Sequence, residues 1–294
     1  MPDTTVPDPT VPDTTVPDTT VPRTIAPTAA PFFPDRRAPG RPPGLALFLN
    51  AGDPPLPVLR DLVLMLDEER VDCLELAVPF PDSVTDGPVI RRSARRALER
   101  GGAALDDVLA FVADVRPHLT HTRIALLTDW RYSLGHRDLT AATRDIAASG
   151  ADALLVHALP PRLRATHLES AAAAALPVVT TCYASSPDAT RARAAADATA
   201  YLYLVAHYGR SGTAPAAGHG ALARTVADLR EHTATPIAVG FGVSTRRDVE
   251  AVGAAGADAA VIGSAGVAAV ERAQQAGRDL PEAFREFVRS VRPA

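Results

Sequence analysis

Residues 73–88 read CLELAVPFPDSVTDGP, opening as an apolar run and closing as a polar loop. Cys73 to Val78 is short and almost continuously apolar, so it reads as a parallel strand buried on both faces and ended by the turn signal at Pro79. Glu75 interrupts it. An ionised carboxylate inside such a strand costs several kcal/mol unless it is paired, hydrogen-bonded or protonated. Two more carboxylates, Asp82 and Asp86, follow in the loop, the second closing a Thr-Asp-Gly-Pro turn. Each has an ordinary explanation: a strand Glu is commonly an ion-pair partner, and an Asp before Gly is commonly turn chemistry. Carboxylates at a strand mouth in different environments are also how a protein separates an acid from a base.

Outward from this strand the same unit repeats. Apolar runs at Leu45–Leu49, Cys73–Val78, Ile124–Thr128, Ala153–His157, Pro177–Thr181, Tyr201–Val205, Pro236–Gly240 and Ala259–Gly263 alternate with helical segments, among them Val58–Glu69, Arg91–Arg100 and Leu105–Val115. Eight short continuous strands with a helix between neighbours predict an α/β fold with a parallel sheet, closed as a TIM (β/α)8 barrel. Ser149–Leu159 (SGADALLVHAL) and Ala255–Ala265 (AGADAAVIGSA) resemble each other, as repeated βα units would. An open doubly wound sheet competes, but no GxGxxG follows the first strand.

A barrel of roughly 250 residues accounts for 44–294 as a single domain. Residues 1–43 differ: VPD recurs at Val6, Val11 and Val16, and Pro-rich sequence continues to Pro43. Such a tract buries too little apolar surface to offset its ordering entropy, so it is expected to be a disordered extension.

The chain is 47% hydrophobic with a formal charge of −4, which gives no basic field for nucleic acid or an anionic membrane. Its 2 cysteines, Cys73 and Cys182, sit in apolar runs, so no disulfide framework or CxxC metal spacing is expected. No apolar stretch is long enough to span a bilayer, and a cytoplasmic protein is expected. The sequence contains no Lys, which excludes Schiff-base chemistry and covalent pyridoxal phosphate. Carbon–carbon chemistry would therefore run on carboxylates, ring donors or a metal.

Phosphate sites in barrels lie after strands seven and eight, where backbone N–H groups meet an anion at a helix start. Gly240-Phe241-Gly242-Val243-Ser244 and Gly263-Ser264-Ala265-Gly266 supply suitable loops, and Tyr208-Gly209-Arg210-Ser211-Gly212 supplies a third after strand six. His157 and His207 fall at strand ends without HxH or HExxH spacing, so both read as structural and no metal site is expected.

Ala51–Pro54 (AGDP), the run LELAVPFPDSVTDGP, the strand YLYL ending at Leu204, the GFGVS run and IGSA together resemble the tryptophan synthase alpha chain family, over a span from about Gly44 to the C-terminus. The resemblance implies a barrel that cleaves indole-3-glycerol phosphate to indole and glyceraldehyde 3-phosphate. It implies no cofactor in this chain, and a pyridoxal-phosphate-dependent beta chain as partner in an α2β2 assembly. By that resemblance Glu75 is the catalytic acid/base and Asp86 the carboxylate that engages the indole N–H. Phe48 and Tyr203 border the site, and Gly212, Gly242, Gly263 and Ser264 hold the phosphate.

Three segments depart from the family's pattern. Pro81-Asp82-Ser83 exchanges the serine and proline around Asp82, Ala158 replaces an Asp after strand four, and Asp129-Trp130-Arg131-Tyr132 replaces Tyr-Asn-Pro. These departures keep two alternatives open: a lyase of a specialised pathway working alone, and a non-catalytic homologue.

Overall fold

The computed structural model describes residues 32–33, 41–206, 219–240 and 242–293, and within them the eight runs form one sheet of eight parallel strands. The strands are β1 (Gly44–Asn50), β2 (Cys73–Ala77), β3 (Arg123–Asp129), β4 (Ala153–His157), β5 (Val179–Tyr183), β6 (Tyr201–Val205), β7 (Ile237–Gly240) and β8 (Ala259–Ile262). Ten α-helices are described: α1 (Leu56–Glu68), α2 (Pro88–Arg100), α3 (Leu105–Val115), α4 (Leu139–Ala148), α5 (Arg164–Ala173), α6 (Asp188–Asp197), α7 (His219–Arg230), α8 (Arg246–Ala254), α9 (Ser264–Gln275) and α10 (Leu280–Val291). The sheet runs β4-β3-β2-β1-β8-β7-β6-β5. Its ends meet through a single bridge, Leu154 with Val178, so the barrel is closed there by the thinnest seam.

Strand five explains the seam. The sequence places it at Pro177–Thr181, whereas the ladder with β6 begins at Val179 and continues to Tyr183. Pro177 has no N–H to give, and its carbonyl accepts from Leu154 N instead. Helix α2 starts earlier than its apolar pattern suggests because Pro88 occupies the first turn, where a missing N–H costs nothing.

The two similar stretches have the same job. Asp152 accepts Ile124 N of β3 at 2.9 Å and Asp258 accepts Ile237 N of β7 at 2.7 Å, each tying its own strand to the start of the preceding one. Arg116 pairs with Asp152, and Arg230 with Asp258, which offsets the burial of both carboxylates. Asp72 does likewise before β2, accepting Leu45 N of β1 at 2.8 Å. The Gly of each stretch, Gly150 and Gly256, takes positive φ at the end of its helix.

Two apolar clusters result: a large one between strands and helices, and a smaller one inside the barrel. Phe32 and Phe33, from within the Pro-rich stretch, are buried in the inner cluster, with rings 5.5 and 5.2 Å from that of Tyr201. Packing of the barrel therefore reaches back beyond Gly44. The remainder of the stretch before Arg41 lies outside the described residues. Among the described residues no helix is long and apolar enough to cross a membrane.

Candidate active site

Because the strands are parallel, their C-terminal ends and the loops after them share one mouth. There a cavity of about 720 Å³ opens, lined by Glu75, Asp86, Phe48, Tyr203, Gly242, Gly263 and Ser264. Seven of the eight residues singled out in the sequence thus meet at one place. The eighth, Gly212, lies outside the described residues, as does His207.

Glu75 stands at the centre. It is 3% exposed and lies in register with Phe48 of β1 and Ala125 of β3. Among the described residues no cation pairs with it. Its partner is the phenol of Tyr201, which donates to Glu75 Oε1 at 2.7 Å. Burial raises the Glu75 carboxyl from 4.5 to about 7, against the opposing effect of that hydrogen bond. A carboxyl so placed is shared between acid and base forms near neutral pH, as a group that both gives and takes a proton requires. Tyr201 spends its proton on Glu75, so its oxygen is free to accept from the buried Cys73 thiol, 4.0 Å away.

The sequence reading missed Tyr201. Its signal was present: in a strand, Tyr201 and Tyr203 share a face, and both point into the barrel. Changing Tyr201 to Phe removes the only hydrogen bond among the described residues that favours the ionised form of Glu75. The expected result is an alkaline limb of the activity profile moved to higher pH, measured as kcat/KM against pH.

Asp86 is half-buried at the mouth, immediately before Gly87, which caps α2. Burial raises its carboxyl, while a Ser83 hydrogen bond and the nearby His157 and Arg91 act against the rise. The two carboxyls thus differ in kind: Glu75 has a neutral phenol as partner, whereas Asp86 has groups that favour its charge. Asn50, buried at the end of β1, holds α2 in place by donating to Ile90 O at 3.3 Å and Ser93 Oγ at 3.1 Å. Asp53, in the turn after β1, pairs with Arg96 at 2.6 Å and Arg100 at 2.9 Å and fixes the same helix.

Across the mouth lie two of the loops that the sequence suggests for an anion. Gly242 takes φ +85, which favours Gly, and Ser264 opens α9 directly after Gly263. Gly240, grouped with these loops from sequence, serves differently: a Cβ there would overlap the Tyr203 phenol, so the glycine makes room for that ring.

His157 reads from sequence as a structural residue. It lines the cavity, and its ring lies 5.8 Å from that of Phe80 at 21°. Phe80 is also nearly parallel to Tyr132, at 5.9 Å and 16°. The segments after β2, β3 and β4, where the sequence departs from the family pattern, are therefore joined by their rings. Asp129 caps the turn that carries Tyr132, accepting its N–H at 3.1 Å. Ala158 adopts φ 54, a left-handed conformation in which Asp or Asn is more comfortable than Ala. Among the described residues no group of His, Cys, Asp and Glu could hold a metal ion.

Known proteins resemble this chain in sequence and in fold. A family model described as tryptophan synthase alpha chain matches residues 37–293. The tryptophan synthase alpha chain of Synechococcus elongatus is 36% identical over 230 residues, covering 78% of this chain and 84% of its own. That of a Cyanothece species is 32% identical over 251 residues, covering 84% and 90%. Among solved structures, the Pyrococcus furiosus protein described in the context of mutual activation of its tryptophan synthase α2β2 complex superposes with a TM-score of 0.74. It is 28% identical, covering 85% of this chain and 98% of that one. Sequence and fold converge, and the chain belongs to the tryptophan synthase alpha chain family.

Proposed function

We propose that this chain cleaves indole-3-glycerol phosphate to indole and glyceraldehyde 3-phosphate, with Glu75 as the proton carrier and Asp86 as the partner of the ring nitrogen. The observation that carries the reading is a buried Glu75, hydrogen-bonded to a phenol and raised to about 7, in one cavity with an Asp86 whose neighbours Ser83, His157 and Arg91 act against the rise that burial causes.

The chemistry needs both states. Indole C3 is a poor leaving carbanion, so it is protonated before the bond to the side chain breaks. Protonated Glu75 gives its proton to C3, and the ring nitrogen takes the positive charge while Asp86 accepts its N–H. Glu75, now ionised, takes the proton of the hydroxyl on the adjacent side-chain carbon. The O–H electrons form the aldehyde carbonyl, the C3–carbon bond breaks, and its electron pair returns through the ring to nitrogen. Indole and glyceraldehyde 3-phosphate leave, and Glu75 is protonated again. The indoleninium nitrogen serves as the electron sink, so neither Lys nor a cofactor is needed in this chain. Gly242, Gly263, Ser264 and the Gly212 loop hold the phosphate, and Phe48 and Tyr203 border the reacting centre.

As partner we infer a pyridoxal-phosphate-dependent beta chain, supported by family membership and by the α2β2 context of the Pyrococcus neighbour. Incubation of the chain with indole-3-glycerol phosphate, alone and with a beta chain, tests both points. Indole and glyceraldehyde 3-phosphate appearing in equal amounts, faster with the beta chain, is the expected result. No product under either condition would refute the proposed reaction.

A further inference from the structure

The side of the cavity away from the phosphate loops carries polar side chains to which the proposed reaction assigns no proton transfer and no contact with the substrate. With the phosphate held by the loops after β6, β7 and β8, the aromatic end of the substrate would lie on the opposite side, toward β3, β4 and the adjoining end of β5. Leu127 and Leu155 line that side and suit a flat apolar ring. Beside them stand Thr181 and His157.

Thr181 is the middle residue of β5, in register with Tyr203, and is exposed although it faces the barrel interior. Its neighbours on the same face, Val179 and Tyr183, are buried and half-buried, so of the three the threonine is the most open to the cavity. Among the described residues the Thr181 hydroxyl has no hydrogen-bond partner, unlike that of Thr180, which donates to Ala194 O on the outer side. His157, one strand across the seam, contacts Phe80 through its ring face, and no hydrogen bond to its ring nitrogens is found among the described residues. An unsubstituted indole has one polar group, the N–H, which Asp86 takes.

We propose that the ring subsite formed by Thr181 and His157 binds an indole ring bearing a hydroxyl group on its six-membered ring, so that the chain cleaves ring-hydroxylated indole-3-glycerol phosphates. This rests on the reading of the site as an indole-releasing centre. The substituent would exchange hydrogen bonds with the Thr181 hydroxyl and an imidazole nitrogen of His157, replacing water that wets them otherwise. A neutral hydrogen bond of this kind is worth about tenfold in affinity.

The test compares kcat/KM for indole-3-glycerol phosphate with its 4-, 5-, 6- and 7-hydroxy derivatives, on the wild-type chain, Thr181→Val and His157→Phe. The expected result is one isomer used about tenfold better than the parent, with that preference ratio falling about tenfold in Thr181→Val and also falling in His157→Phe. Parent turnover with every hydroxylated isomer used less well would overturn this inference and leave the proposed reaction standing. So would a preference ratio that neither variant changes. Absence of turnover with the parent and all isomers would overturn both.

Discussion

Replacing Glu75 with Gln is expected to lower indole formation by at least about 10²-fold, because the amide can neither give a proton to C3 nor take one from the side-chain hydroxyl. The loss should fall on kcat, since Gln keeps the shape of the site and its Oε1 can still accept from Tyr201. Stability should move the opposite way with pH. The folded state raises Glu75 from 4.5 to about 7, so the wild-type chain holds that proton more tightly folded than unfolded. The associated stability is fully present below pH 4.5 and is lost as pH rises through 7. The shift corresponds to about 3 kcal/mol, which the Gln variant, having no proton to lose, does not forfeit. Denaturant unfolding of the two chains at pH 4.5 and pH 8.5 reads this difference. An unchanged gap between them would mean that Glu75 does not titrate near neutrality.

Replacing Asp86 with Asn should cost a comparable factor, about 10²- to 10³-fold in kcat, for a different reason. The amide oxygen can still accept the ring N–H but does not carry the charge that opposes the developing positive nitrogen. Asp86 is half-buried with Arg91 and His157 nearby, so removing its charge leaves two basic groups facing the cavity. Binding of the uncharged ring should change much less than turnover. Single-turnover rates beside substrate affinities separate the two. Equal losses in both would mean that Asp86 shapes the pocket and does not act on the reacting nitrogen.

Much of this was legible in the sequence because each signal has a local cause. The strands are continuous apolar runs, and a parallel sheet buried on both faces demands that. Glu75 stood out because a lone carboxylate in such a run is costly. Strand five was displaced by two residues because β-propensity alone does not register that Pro177 lacks the N–H needed for a ladder. Tyr201 as the partner of Glu75 and His157 as a cavity-lining residue were not legible for a related reason. A tyrosine in a strand and a histidine at its end are ordinary core residues until the barrel closes and brings β6 against β2, or turns β4 toward the loop that carries Phe80. Gly240 was grouped with the phosphate loops because spacing shows where a glycine sits but not what lies over it, here the Tyr203 ring.

By the proposed mechanism two carboxylates in one cavity work in opposite protonation states, and the pH dependence of kcat/KM for indole-3-glycerol phosphate reads both. Glu75 must begin protonated, so activity should fall as pH rises through about 7. Asp86 must be ionised, so activity should also fall in acid, at a pH above the ordinary Asp value of about 3.9 because burial raises its carboxyl. A bell with those two limbs, its alkaline limb moved upward in Tyr201→Phe and its whole height lost in Glu75→Gln, is the predicted result. A profile flat from pH 5 to pH 9, at roughly the range where such groups titrate, would contradict the assignment of Glu75 as the proton carrier.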